Sequence, residues 1–255
     1  MHSLFHPHQT EIAPNVAAIP AEFPQIDGAG MAAASYGERA AGDFYDSLRV
    51  SPERVLFGLL DVAGRRQQNQ EILTAAQNTF RTLGTNLFAS PDVNEAEAMV
   101  ELCLQLNRTI MHTAEGVRSC PAFIACYHEK LGTLCYCNAG HTPGLLSDRA
   151  GVAELAATGL PLGLFSHATS DAVIVGLEPA ASLLPVSRGV VEAVPKDEKS
   201  EDSEFALTRV KENLQRNGSS DALALCESIL KGVAEFMGAP PSHNDMTALA
   251  LVRSA

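Results

Sequence analysis

Three aspartates in this chain stand where an apolar run meets a turn. AGDFYD at 41–46 puts Asp43 just ahead of alternating apolar residues. LLDVAG at 59–64 puts Asp61 at the end of an apolar run, and HNDMTALALV at 243–252 puts Asp245 at the start of another. Any one of them alone is an ordinary turn former. If the three ends converge, their carboxylates share one small space, where they repel and raise one another's pKa values. A hard divalent cation takes such an oxygen-rich site and keeps several waters.

Other residues with chemical capacity read more plainly. Six cysteines occur, at 103, 120, 126, 135, 137 and 226, several of them inside apolar runs (FIACY, TLCYC, ALCES). Buried free thiols are expected there. No Cys-x-x-Cys pair marks a zinc ribbon or a thioredoxin-like site. Cys135 and Cys137 share one strand face; between a metal pair and core packing, packing is the reading taken. His2, His6 and His8 lie in a segment that reads as a tail with incidental histidines. His141 follows a strand and precedes Thr-Pro, so it is expected to serve a turn rather than to act as a general acid.

The elements that must hold the aspartates follow from the hydrophobic pattern. Short apolar runs read as strands: GMAAASYG, FYDSLRV, RVLFGLL, AFIACY, TLCYCN, AVIVGL, ASLLPV and MTALALV. Four segments read as helices. The first spans about 67–83, with Ile72, Ala76, Phe80 and Leu83 on one stripe, and the second begins at Asn94, with Glu97 as its capping partner. The third covers 204–216, and the fourth starts near Ser219. Strands, two helices, a series of strands, two helices and a last strand do not make the alternation of a parallel sheet. The order predicts an α+β fold: an antiparallel β-sandwich with helices on both outer faces.

With 255 residues, 46% of them hydrophobic, the chain can bury a sizeable core. Residues 1–24 read as a flexible N-terminal tail and 25–255 as a single domain, with KDEKSEDSE at 196–204 a solvated loop. A net charge of -12 repels nucleic acid and anionic membrane. No run approaches the ~20 apolar residues that cross a bilayer, and the N-terminus lacks the pattern of a signal peptide. A cytoplasmic, reduced setting is expected.

The motifs resemble a known family. AGDFYD is similar to the Gly-Gly-Asp-Phe-Tyr-Asp of the PPM-type metal-dependent protein phosphatases, in the bacterial branch of the sporulation stage II E and stress-response phosphatases. LLDVAG resembles that branch's Gly-Asp-Val-Ser-Gly, and GTLCYCNAGHTPGLL at 132–146 resembles its Leu-Thr-Tyr-Ala-Asn-Ala-Gly-His-Asn-Pro stretch. GLPLGLF at 159–165 and NDMTALALVR at 244–253 fit as well, in order and spacing, from about Pro24 to Arg253. The resemblance implies two Mn²⁺ or Mg²⁺ ions at one edge of the sandwich. Water between them would attack phosphoserine or phosphothreonine in line, with no protein group as nucleophile. By position, Asp61 would bridge both ions and the Val62 carbonyl would ligate one of them. Asp43 would support that ion, directly or through water, and Asp245 would hold the other.

Two departures bear on that site. Where the family has Thr-Asp-Gly ahead of Glu192-Ala193, with its aspartate a metal ligand, this chain has Ser187-Arg188-Gly189. A guanidinium has no lone pair for a metal, and it changes the local charge by about two units next to a dication. One ion, or none, is then expected to bind well. The second departure is Gly64-Arg65-Arg66 where the family continues Gly-His-Gly. Either both arginines are solvated ahead of a helix starting near Gln67, or Arg65, Arg66 and Arg188 ring the former metal site and bind phosphate directly. At 177–182, LEPAAS replaces a Pro-Gly-Asp turn.

The residues leave three readings open. One is a metal-dependent protein serine/threonine phosphatase with weakened activity. Another is a pseudophosphatase that binds a phosphorylated or regulatory partner. The third is a scaffold whose site has decayed. The resemblance implies a phosphorylated regulatory protein as partner, of the anti-sigma antagonist type found in bacterial partner switching.

Overall fold

The structure is a computed structural model describing residues 23–36, 43–62, 66–114, 116–195, 205–216, 221–238 and 245–255, with only the backbone of 66–68. The tail histidines, Arg65, the loop 196–204 and most of the 1–24 segment therefore lie outside the described residues. Two five-stranded antiparallel sheets face each other. One is ordered β1(Ala29–Tyr36), β10(Met246–Arg253), β9(Ser182–Leu184), β6(Gly144–Asp148), β7(Gly151–Leu155). The other is ordered β2(Asp43–Ser51), β3(Arg54–Asp61), β4(Ala122–His128), β5(Thr133–Ala139), β8(Val173–Gly176).

Helices cover both outer faces, so three cores form between four layers. Between the sheets lie Val55, Phe57, Leu59, Phe123, Tyr127 and Leu251. The long helices α1(Arg66–Phe88) and α2(Glu95–Thr113) press Phe80, Met99, Leu102 and Leu106 onto Leu56, Ile124 and Cys126 of the second sheet. The first sheet carries α4(Ala206–Arg216) and α5(Ala222–Met237), whose Val210, Leu225, Ile229 and Val233 pack with Ala248 and Ala250. Between Arg54 and Asp61, strand β3 is apolar or glycine throughout because both its faces are covered. The α+β sandwich read from the sequence is the fold observed.

The boundaries differ in instructive places. Helix α1 continues past Leu83 through Gly84 to Phe88. A Cβ on Gly84 would overlap the Leu56 side chain, so the glycine is what lets the helix lie against β3. Asn94 caps α2 by accepting from the Glu97 N–H, as its spacing predicts. The run ASLLPV is strand only as far as Leu184. β9 ends at Leu184, Ser187 is an N-cap, and Arg188–Val191 form a single helical turn, α3. At 177–182, Ala180 takes a φ of 67° in the turn after Pro179. That is a left-handed conformation in which a non-glycine residue costs about 1–2 kcal/mol.

Two ion pairs, the first of them buried on both sides, clamp the second sheet to its helices. Arg54 donates to Glu95 Oε1 at 2.6 Å and to the carbonyls of Ser90 and Pro91 at 3.3 and 3.0 Å. Arg81 of α1 grips Asp46 of β2 with two bonds of 2.6 and 2.8 Å. The second aspartate of AGDFYD thus fixes the helix, which leaves the first for the site. All six cysteines are free and buried, and burial pushes the thiols of Cys120, Cys135 and Cys226 up to about 12.

Candidate metal centre

Asp43 opens β2 and Asp61 closes β3, and the hairpin register sets them directly opposite each other. The Asp61 N–H donates to the Pro121 carbonyl at 2.9 Å. Asp245 immediately precedes β10 and is buried. It comes from the other sheet, so the two sheets meet at this edge. The three strand ends do converge.

The turn that carries Arg188 is bolted to the same edge. Ser187 N–H donates to the Thr247 carbonyl at 2.8 Å, and Thr247 N–H donates to Ser187 Oγ at 2.9 Å. The hydroxyls of both residues lie close enough to the Asp43 carboxylate to favour its charged form. The NAGHTP turn supports them from behind: Thr142 Oγ1 donates to the Val186 carbonyl, and Asn138 Oδ1 accepts from the His141 N–H at 2.8 Å. His141 is buried beside Thr142, and burial lowers it to about 4, so it is neutral and structural. Gly140 in this turn has φ 66° and lies so close to Pro161 that no side chain fits.

The electrostatics are those of a gathered but uncompensated carboxylate site. Burial above all, then the charges of Asp61 and Asp245, push Asp43 up to about 8. The hydroxyls of Ser187 and Thr247 oppose this shift. Burial also raises Asp61. Arg188 counters it, while Glu192 and Asp245 add to it. Asp43 Oδ2 is buried with no hydrogen-bond partner among the described residues. An orphaned carboxylate oxygen beside two more carboxylates fits a divalent cation. Among the described residues, no three His, Cys, Asp or Glu side chains yet close on one point.

The Val62 carbonyl lies at the same edge, with its residue buried, and Asn69 of α1 donates to it through Nδ2 at 3.4 Å. Arg188 forms an ion pair with Glu192 at 2.5 Å, its guanidinium close enough to Asp61 to favour that carboxylate's charged form. Arg66 is the first residue of α1, one position earlier than the start expected near Gln67. Ser187, Thr247, Asn69 and Glu192 are the site residues that charge and motif reading passed over.

The Asp43 environment predicts a pH dependence. A carboxyl at about 8 in the fold, against an ordinary 3.8, binds more protons folded than unfolded between those values. Its stabilising contribution is therefore complete below about pH 4 and lost as the pH rises through about 8. In EDTA, the melting temperature of the native protein is expected to fall between pH 6 and pH 8.5, and Asp43→Asn to flatten that fall by several degrees. Equal slopes in the two proteins would show that Asp43 is not the group responsible.

Comparison with known proteins comes to the same place. The sequence model described as stage II sporulation protein E (SpoIIE) matches residues 51–254. No curated protein matches. Among solved structures, the RsbU and RsbW domains of Rv1364c from Mycobacterium tuberculosis superpose with a TM-score of 0.73 at 20% identity, over 91% of this chain and 62% of that one. The PP2C phosphatase domain of Bacillus subtilis SpoIIE, with a fragment of its regulatory domain, gives 0.68 at 15% identity, over 89% and 62%. The SiaA-PP2C domain of Pseudomonas aeruginosa gives 0.70 at 16%, over 88% and 86%. This chain thus spans less than two thirds of the first two. Because the family match runs through Asp61 and the turn at 187–189 to the end of β10, the chain belongs to the SpoIIE family of PPM-type phosphatase domains.

Proposed function

We propose that this chain is a metal-dependent phosphatase of phosphoserine or phosphothreonine on a regulatory protein, with one strong and one weakened cation position. The observation that carries the reading is Asp43 Oδ2, buried and unpartnered against Asp61 and Asp245. Mn²⁺ or Mg²⁺ suits this all-oxygen donor set. Asp43, Asp61 and the Val62 carbonyl would hold the first ion. Asp61 and Asp245 would hold the second, weakly, because Arg188 stands where a carboxylate is needed. When bound, a divalent cation neutralises phosphoryl charge and acidifies water.

The chain's own groups do the positioning. Ser187 and Thr247 hold the Asp43 carboxylate, and Asn69 orients the Val62 carbonyl. His141 stays neutral and moves no proton. The partner proposed is a phosphorylated anti-sigma antagonist, on the strength of the family branch.

Arg188 itself favours a second reading, a pseudophosphatase that binds the phosphoprotein through Arg188, with Arg65 and Arg66, and does not turn it over. Hydrolysis of p-nitrophenyl phosphate with added Mn²⁺ separates the two. Turnover that disappears in Asp245→Asn supports the enzyme. An inert protein that binds a phosphopeptide, and loses it in Arg188→Ala, supports the binding module.

A further inference from the structure

Glu192 stands at the carboxylate edge without being one of the three strand-end aspartates. It lies one helical turn beyond Arg188, so the two side chains share a face, and Arg188 Nε donates to Glu192 Oε1 at 2.5 Å. Its charge opposes ionisation of Asp61, as that of Asp245 does, which places it within electrostatic reach of Asp61. The backbone beneath it is fixed: Val190 N–H donates to Ser187 O, Glu192 N–H to Arg188 O, and Ser187 is locked to Thr247. The side chains are less constrained, with Arg188 66% and Glu192 36% exposed. An exposed pair of this kind is worth about 0–1 kcal/mol, so a competing cation can break it.

We propose that Glu192 supplies the carboxylate that position 188 lacks, joining Asp61 and Asp245 around a divalent cation, and that Arg188 is the internal counter-ion this cation displaces. The inference rests on reading the aspartate edge as a cation site. In the metal-free protein the guanidinium neutralises Glu192 and Asp61. When a cation enters, Arg188 turns into the water it already largely occupies. Glu192, longer than aspartate by one methylene, is freed to turn inward. The substitution at 188 then converts a resident ligand into a latch. The second position fills only when free metal is high enough to compete with an ion pair inside the protein.

The test is calorimetric titration of the metal-free full chain with Mn²⁺, comparing native protein with Glu192→Gln, Arg188→Ala, their combination and Asp61→Asn. Melting temperatures in EDTA confirm that each variant is folded. Glu192→Gln is expected to weaken the second Mn²⁺ site about 10-fold or remove it, and Arg188→Ala to tighten it by a similar factor. The double variant is expected to lose what Arg188→Ala gained. If Glu192→Gln leaves every Mn²⁺ affinity unchanged in both backgrounds while Asp61→Asn abolishes binding, Glu192 is no ligand and the cation site stands without it. If the native chain takes up no Mn²⁺ at all, the inference and the cation-site reading fall together.

Discussion

Arg188→Asp is expected to raise Mn²⁺-dependent hydrolysis of p-nitrophenyl phosphate by about 10- to 100-fold at metal concentrations below saturation. A unit charge about 4 Å from another is worth about 1 kcal/mol in water and about 4 kcal/mol near a protein surface. The substitution changes two units beside a dication. Arg188 is 66% exposed, so solvent screens part of that and the lower end of the range applies. The Ser187 clamp and the fold of α3 do not depend on the side chain at 188, since their bonds are made by backbone atoms and the Ser187 hydroxyl. The gain should therefore appear mainly as a lower half-saturating Mn²⁺ concentration, with the maximal rate moving less. Identical Mn²⁺ titration curves for native and variant protein would mean that position 188 does not face the cation.

The second large effect is on stability. Arg54→Ala is expected to destabilise the fold by about 3–5 kcal/mol, because it strands the buried Glu95 carboxylate without its partner. It also leaves the Ser90 and Pro91 carbonyls without their shared donor. At about 2–4 °C per kcal/mol for a domain of this size, the melting temperature should drop by about 6–20 °C. Replacing both partners, as in Arg54→Met with Glu95→Leu, should recover most of the loss, since two apolar groups of similar size need no hydrogen bonds. A single-variant cost below about 1 kcal/mol, the range of exposed pairs, would place this ion pair in effective contact with solvent. Chemical denaturation in EDTA measures it free of any metal contribution.

The central strands were legible because they are buried on both faces and read as unbroken apolar runs, β3 and β10 above all. Strands β6 and β7 were not, because each is only five residues long, with too short an apolar run or alternation to stand out from the turns around it. The turn α3 was missed for another reason. It has four residues and exists because Ser187 caps it against β10, a contact made by residues sixty positions apart. The same distinction divides the site. Asp43, Asp61 and Asp245 announce themselves as charges ending apolar runs. Ser187 and Thr247 matter only once the sandwich closes and brings two sheets' edges together. Glu192 carried no signal of its own, since its pairing with Arg188 depends on the helical spacing of α3. Asn69 looked like any polar residue near a helix start until the helix placed it under Val62.

The burial of every cysteine has a practical consequence for following this molecule in motion. A thiol raised to about 12, as at Cys120, Cys135 and Cys226, is almost wholly protonated at neutral pH. Maleimides and iodoacetamides react with the thiolate. With all six thiols buried, the folded native chain should be nearly silent to such reagents, and one cysteine introduced at an exposed site, such as Arg216→Cys on α4, would take a fluorophore or spin label alone. No background thiol needs to be engineered away, so the two helix-facing cores that those side chains fill would stay intact while the helices are tracked.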